Sequence, residues 1–170
     1  MIASFKPIYN SDSKILILGT IPGGDSLKNG RYYDSNKNHF WDIVYRSLNP
    51  NWKSNSCVQL CESYESKVKL LLDNNICLWD VIKSCEREGN RDSNIMNVTM
   101  NDFDQFFNEH KKIKKVIFNG KSAFNYFEKS FNTILLSDIF KYKVLNSTSS
   151  SNTKNTFIVL GEWYKELNEL

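Results

Sequence analysis

The chain has 170 residues, 41% hydrophobic and 14% aromatic, so it can bury a core of its own and is expected to form a single domain over residues 1–170. That composition excludes a disordered chain, while a net charge of +3 permits a polyanionic partner without requiring one. The opening MIASFKPIYN lacks the apolar stretch of a targeting segment, and no run approaches membrane-spanning length, which together point to a cytoplasmic protein.

The first apolar run, Lys14–Leu18, predicts a strand. GTIPGGDSLKNGRYYDSNKNHFW follows, from Gly19 to Trp41. A strand-to-helix connection ordinarily takes a few residues, and long ordered loops are usually functional. The two tyrosines and the Phe-Trp pair argue against disorder here. Phe40, Ile43, Val44 and Leu48 then share one helical face. Cys57 and Cys61 have a spacing that a metal site can use, but no second close pair and no nearby histidine completes a zinc set. An iron–sulfur cluster needs four converging thiolates. Free, reduced thiols are expected, with Cys77 a small buried hydrophobe inside ICLWDV.

Val68, Leu71 and Leu72 mark the next helix and Ile76–Val81 the second strand. Thr99 with Asp102 resembles a helix start ahead of Phe103, Phe106 and Phe107. Lys115–Phe118 reads as the third strand, followed by a helix carrying Phe124, Phe127 and Phe131. Tyr142–Leu145 is the fourth strand, SSSNTKN a loop, and Leu160, Trp163, Leu167 and Leu170 a closing helix. Alternating strands and helices predict an α/β fold, a three-layer α/β/α sandwich around a mostly parallel four-stranded central sheet. In such sheets ligands bind beyond the carboxyl ends of the strands. The segments there are Gly19–Asn38, the stretch after Asp80, Asn119–Gly120 and Asn146–Asn152.

Two familiar chemistries fail on these residues. FNGKS at Phe118–Ser122 lacks the glycine that a phosphate loop needs five residues before Gly120, where Lys115 stands. A tight turn at Gly120 explains it. A Ser-His or Cys-His pair would have to use His39 or His110, and no serine or cysteine carries a local nucleophile signature.

The order of short motifs is more specific. Gly-x-x-Pro-Gly after the first strand, an aromatic, and Asn-x-Phe-Trp at a helix start resemble the uracil-DNA glycosylase superfamily. With LWDVIKSCEREGNRDSNI, NDF, FNG and LNSTS following in order, the chain is most similar to its hypoxanthine-DNA glycosylase branch, from about Lys14 to Asn152. That resemblance implies a pocket for a base flipped out of DNA. It puts Tyr33, rather than Tyr32, under the flipped base, against the alternative of a half-buried core tyrosine. Pro22 and Gly23 would turn backbone amides towards the nucleotide. Ile21 stands among the base-binding positions, where most of the superfamily has a water-positioning Asp or Asn, so that role is vacant.

In the hypoxanthine branch the asparagine of Asn-x-Phe-Trp is taken as the essential residue, and Asn38 matches it. Its oxygen would hold the water or its amide would bind the base. The competing reading is a helix N-cap. Phe40 and Trp41 are expected as core anchors of the loop. Asp80 would bind base or sugar, or cap a turn. Asn119 would read a base edge or close a turn, and Arg91, Asp92 and Ser93 would organise the pocket rim. In the last loop the branch has Pro-Ser-Thr-Ser-Pro, whereas this chain has Asn146, Ser147, Thr148, Ser149 and Ser150, without the prolines that would preorganise it. Ser147, Thr148 and Ser149 would bond DNA phosphates.

The implied activity is a monofunctional glycosylase acting on deaminated bases in DNA, hypoxanthine before uracil or xanthine. Water, not an enzyme amine, would attack the sugar, and no metal or organic cofactor is implied. A monomer is expected. The rival is a nucleic-acid-binding relative that lost the chemistry, favoured by Ile21, Asn146 and Ser150. A third reading is hydrolysis of free nucleosides.

Overall fold

The computed structural model describes residues 1–49 and 63–169. Cys57, Cys61 and Leu170 lie outside them, so the reading of CVQLC lies outside the described residues too. In chain order the elements are β1 (Ile2–Ala3), β2 (Ile15–Gly19), α1 (Gly24–Asn29), α2 (Phe40–Leu48), α3 (Tyr64–Asp73), β3 (Ile76–Asp80) and β4 (Ile82–Arg87). After a 3-10 turn at Asp92–Asn94 come β5 (Ile95–Met100), α4 (Phe103–Glu109), β6 (Lys115–Asn119), α5 (Lys121–Leu135), β7 (Lys141–Leu145) and α6 (Thr156–Asn168).

The central sheet has four strands in the order β3-β2-β6-β7, every pair parallel. β2, β3 and β6 are buried at every position, which is why they read as unbroken apolar runs. β7 closes one edge, and the exposed Lys141 and Lys143 on it oppose pairing with another chain.

Register decides which side chains share a face. Trp79, Leu18 and Phe118 are lateral neighbours, and they meet α4 and α5 through Trp79–Phe103 (5.1 Å) and Phe118–Phe127 (5.2 Å). Asp80, Gly19 and Asn119 come one residue later, so alternation turns them to the opposite face. That face is covered by α2 and α6, which meet where Phe40 stands edge-on to Trp163 at 6.0 Å. Both aromatics are fully buried, and truncating either would cost about 3–5 kcal/mol. The α/β expectation therefore holds, with helices flanking a parallel four-stranded sheet.

A second, antiparallel sheet, β1-β4-β5, was not expected from the sequence. The helix-start reading at Thr99 is corrected as well. Thr99 lies in β5, and Asp102 itself caps α4 by accepting from the Gln105 N–H at 2.9 Å. Cys77 is buried, its thiol donating to the Ile15 carbonyl at 3.3 Å and pushed up to about 12 by burial. No group of three metal-ligating side chains comes together among the described residues, and no helix there is long and apolar enough to cross a membrane.

Candidate active site

At the carboxyl ends of β2, β3, β6 and β7 the connecting segments converge on the face covered by α2. The first runs from Thr20 to His39 and contains α1. It is anchored from both sides. Trp41 Nε1 donates to the Tyr32 carbonyl at 3.1 Å, and the Tyr32 N–H donates to the Tyr64 hydroxyl at 2.9 Å. Tyr32 is buried, with its hydroxyl on the Phe5 carbonyl at 3.1 Å, so it is framework.

Tyr33 is held differently. Among the described residues four non-glycines have positive φ, and the other three are Asn or Asp, which tolerate it. Tyr33, at φ 54°, is the exception, a conformation costing about 1–3 kcal/mol. The result is a ring lying flat on Phe40, with centroids 3.9 Å apart and planes at 16°. Glycine at position 19 makes room for it. A Cβ there would sit 2.5 Å from Asp80 Oδ1 and 2.7 Å from the Tyr33 hydroxyl.

The polar side chains form one network. The Thr148 N–H donates to Asn119 Oδ1 at 2.9 Å, which fixes the orientation of that amide because a backbone N–H can only donate. Asn119 Nδ2 then donates to the Tyr33 hydroxyl at 3.0 Å and to Thr148 Oγ1 at 2.9 Å. The Thr148 hydroxyl passes its own hydrogen to Asn38 Oδ1 at 2.9 Å. Asn38 Oδ1 also accepts the Phe40 N–H at 3.0 Å. The same reasoning orients this second amide, and both lone pairs of its oxygen are taken. Asn38 Nδ2 has no partner among the described residues.

Asn38 precedes the true N-cap of α2, which is His39, and its oxygen satisfies the first N–H of the helix across an Asx turn. Its amide nitrogen is left over for another task. The helix-start role falls on the oxygen, the end that would also hold a water, whereas the base-binding alternative falls on the nitrogen.

Asp80 lies buried at the end of β3, and its Oδ2 accepts the Ser4 hydroxyl at 2.8 Å. Burial raises its carboxyl from 3.8 to about 7, reinforced by the charge of Asp92 and opposed by the Ser4 hydrogen bond and the Arg87 guanidinium. The Tyr33 hydroxyl is pushed above its ordinary range by burial and then by Asp80.

Other predicted residues are placed elsewhere. Ile21 is buried in a small apolar cluster with Ile82 and Cys85, so only its backbone is near the loop surface. Pro22 and Gly23 form the turn into α1, with the Pro22 carbonyl accepting Arg87 Nη2 at 2.7 Å. Asp92 accepts the Thr20 hydroxyl at 3.0 Å, and Asn90 Oδ1 accepts the Gly24 N–H at 2.8 Å, so the tip of the β4–β5 hairpin clamps this turn. Arg91 and Ser93 are exposed beside it. Thr148 is 2% exposed, its hydroxyl spent inside the network, whereas Ser147 and Ser149 remain partly exposed.

Asn146 replaces a proline's restraint with hydrogen bonds. Its side chain donates to Glu162 on α6 at 2.6 and 2.7 Å, and Asn152 Nδ2 ties back to the Ser147 carbonyl at 2.7 Å. Sequence reasoning missed Ser4, Arg87, Asn90 and Glu162. Their partners lie 76, 65, 66 and 16 residues away, and no local pattern marks such pairs. Two cavities of about 550 and 720 Å³ lie away from all of these residues.

The sequence profile of the Uracil DNA glycosylase superfamily matches residues 6–167. Over 159 residues the chain is 32% identical to a hypoxanthine DNA glycosylase of Methanosarcina acetivorans, covering 94% of this chain and 93% of that one. Over 151 residues it is 31% identical to a hypoxanthine DNA glycosylase of Methanosarcina barkeri, covering 89% and 88%. A solution NMR structure from Methanosarcina acetivorans superposes with a TM-score of 0.79 at 31% identity, covering 99% of this chain and all of the other. A profile match across nearly the whole length, relatives of this identity and the shared fold place the chain within one family: it belongs to the uracil DNA glycosylase superfamily.

Proposed function

We propose that the protein is a monofunctional DNA glycosylase that removes a deaminated base from DNA, with hypoxanthine as first substrate and uracil or xanthine after it. The observation that carries this reading is the network Tyr33–Asn119–Thr148–Asn38, which immobilises an aromatic platform and leaves one amide nitrogen unspent beside it. A flipped base needs a stacking surface and a few fixed polar groups. Tyr33, backed by Phe40, supplies the first. Asn38 Nδ2 supplies a hydrogen-bond donor.

In hydrolysis of the glycosidic bond, water adds to the sugar carbon as the carbon–nitrogen bond breaks, its electron pair leaves with the base, and the proton that the water sheds ends on that departing base. The sugar becomes oxocarbenium-like, and negative charge grows on the departing ring. A donor held in place beforehand stabilises that charge without reorganising. Asn38 is therefore assigned to the leaving base rather than to the water, because its oxygen is already committed to Phe40 and Thr148. Asn119 and Thr148 act through it as positioning residues. Ser147 and Ser149, on the partly exposed rim, are the phosphate contacts of this reading.

The test is strand cleavage by alkali after incubation with oligonucleotides carrying one hypoxanthine, uracil or xanthine, single- and double-stranded. Wild type is expected to release base, and Asn38→Ala to be slower by about 10²–10³, the loss of one preorganised donor. A folded Asn38→Ala protein cutting at the wild-type rate removes the assignment. Salt-dependent DNA binding without base release by wild type would favour the non-catalytic relative instead.

A further inference from the structure

We propose that a lysine-lined cavity at the amino ends of the central strands is a second binding site, one for a chain of phosphates. The cavity, about 720 Å³, lies on the α6 face of the sheet. Lys115 begins β6 and Asn119 ends it on the same face, four residues and about 13 Å apart at the usual rise. The cavity and the candidate active site thus occupy opposite ends of the same strands, and the inference does not depend on the base-excision reading.

Lys115 itself is not the binder. It is buried, and its ammonium makes contacts of 2.7 Å to the Glu166 carboxylate and to the Glu166 and Glu169 carbonyls, which uses all three hydrogens to hold the last turn of α6. Lys115 and Glu166 cancel. The charges left around the cavity are the exposed Lys14, Lys112, Lys114, Lys141, Lys143 and Lys165; among the described residues Lys143 also reaches Glu166 at 3.8 Å, and the remaining carboxylates are Glu169 and the Asp12 that pairs with Lys112 at 2.7 Å. Six lysines against two carboxylates leave an excess of four positive charges, more than the net +3 of the whole chain. Charge is concentrated at this end of the molecule.

The backbone forces the crowding. The Lys114 N–H donates to the Lys14 carbonyl at 2.8 Å, and the Lys141 N–H to the Lys114 carbonyl at 2.9 Å, so three lysines stand side by side where adjacent strands begin. Like charges on neighbouring strands repel, and among the described residues no ion pair offsets these three, the charge of Lys14 being felt only by the Asp12 that Lys112 already holds. A polyanion does so. The lining contains no arginine and no aromatic ring. Lysine acts as a point charge, without the fork that selects planar carboxylates, and no ring is present to stack on a base. The ligand is consequently recognised through dense, repeated negative charge, as in a nucleic-acid backbone or a free polyphosphate, without regard to sequence.

The test compares wild type with the triple variant Lys14→Gln, Lys114→Gln and Lys141→Gln, whose backbone hydrogen bonds are retained. Binding of an undamaged fluorescent single-stranded oligonucleotide is measured across salt, with sodium tripolyphosphate and a poly-glutamate peptide as competitors. For the variant, affinity is expected to fall about tenfold or more, and the slope of log K against log salt to shrink by about 2. Tripolyphosphate should compete and poly-glutamate should not. Competition by tripolyphosphate for an oligonucleotide identifies the backbone as a source, whereas tripolyphosphate binding alone identifies the free chain.

An NMR titration of the wild type with tripolyphosphate keeps the proposal open to refutation if the variant folds poorly. Amide shifts should gather at Lys14, Lys114 and Lys141. Shifts gathered at Asn38 and Thr148 instead, unchanged affinity and slope in a folded variant, or preference for poly-glutamate would each overturn it. Base release by the variant under saturating enzyme should match wild type, so failure of this site and failure of the glycosylase reading give different results.

Discussion

Replacing Asn38 by aspartate separates the two ends of its side chain. A carboxylate at position 38 still accepts from the Phe40 N–H and the Thr148 hydroxyl, so the turn into α2 should survive. It carries no N–H donor. If Asn38 acts through Nδ2, Asn38→Asp should lose base release by about 10²–10³ while melting at or above the wild-type temperature. Retained activity in Asn38→Asp would instead put the oxygen, and hence the attacking water, at the centre of its role. Thr148 supplies a companion prediction. Thr148→Val removes the hydroxyl that links Asn119 to Asn38 but keeps the volume. Single-turnover rates should fall at least about tenfold with little change in substrate affinity, and Thr148→Ser should restore them. Equal rates for the Val and Ser variants would show that the hydroxyl orients nothing.

The end of β2 shows how an element constrains the site. Gly19 has no room for a methyl group, and the atoms in its way are not loose ends. Asp80 is held by Ser4, and the Tyr33 hydroxyl is held by Asn119. Gly19→Ala should therefore cost about 1–3 kcal/mol in a urea melt and lower base release by displacing Tyr33 from Phe40. A variant with wild-type stability and activity would mean that the loop shifts freely. Three of the four parallel strands were legible because burial on both sides writes them as apolar runs, while β7, exposed at all but its last position, was read from the short run Tyr142–Leu145. The second sheet was not. β1 is two residues long, β5 is mostly exposed and carries Asn97 at φ 53°, and the β4–β5 register slips twice. α1 was equally hidden, a six-residue helix whose N-cap, Gly23, makes no side-chain cap. At the site, Tyr33 and Asn38 stood out by motif. The use of each end of the Asn38 amide did not, because Thr148, which decides it, lies 110 residues further along.

At the scale of the whole molecule, Asp80 connects the site to folding stability. Its carboxyl titrates near 3.8 when free and near 7 in the fold, chiefly through burial. The groups that act on it are Ser4, Asp92 and Arg87, and only Ser4 and Arg87 favour the charged form. Between those two values the folded protein holds a proton that the unfolded chain has released, so stability falls as pH rises from about 4 to about 7 and is flat above that. At about 1.4 kcal/mol per unit, the loss is at most about 4 kcal/mol. Asp80→Asn removes the titration but still accepts the Ser4 hydroxyl. The variant should match wild type near pH 4, gain on it steadily to pH 7, and keep that advantage at pH 8, read as the difference between the two melting temperatures. A difference that stays constant from pH 4 to pH 8 would show that Asp80 is charged in the folded protein throughout. A charged Asp80 would also set a permanent anion beside Tyr33, where the proposed chemistry builds negative charge on the leaving base. Below about pH 7, where burial keeps the carboxyl protonated, the proposed chemistry is spared that opposition; above it the charged carboxyl both weakens the fold and opposes the departure of an anionic base.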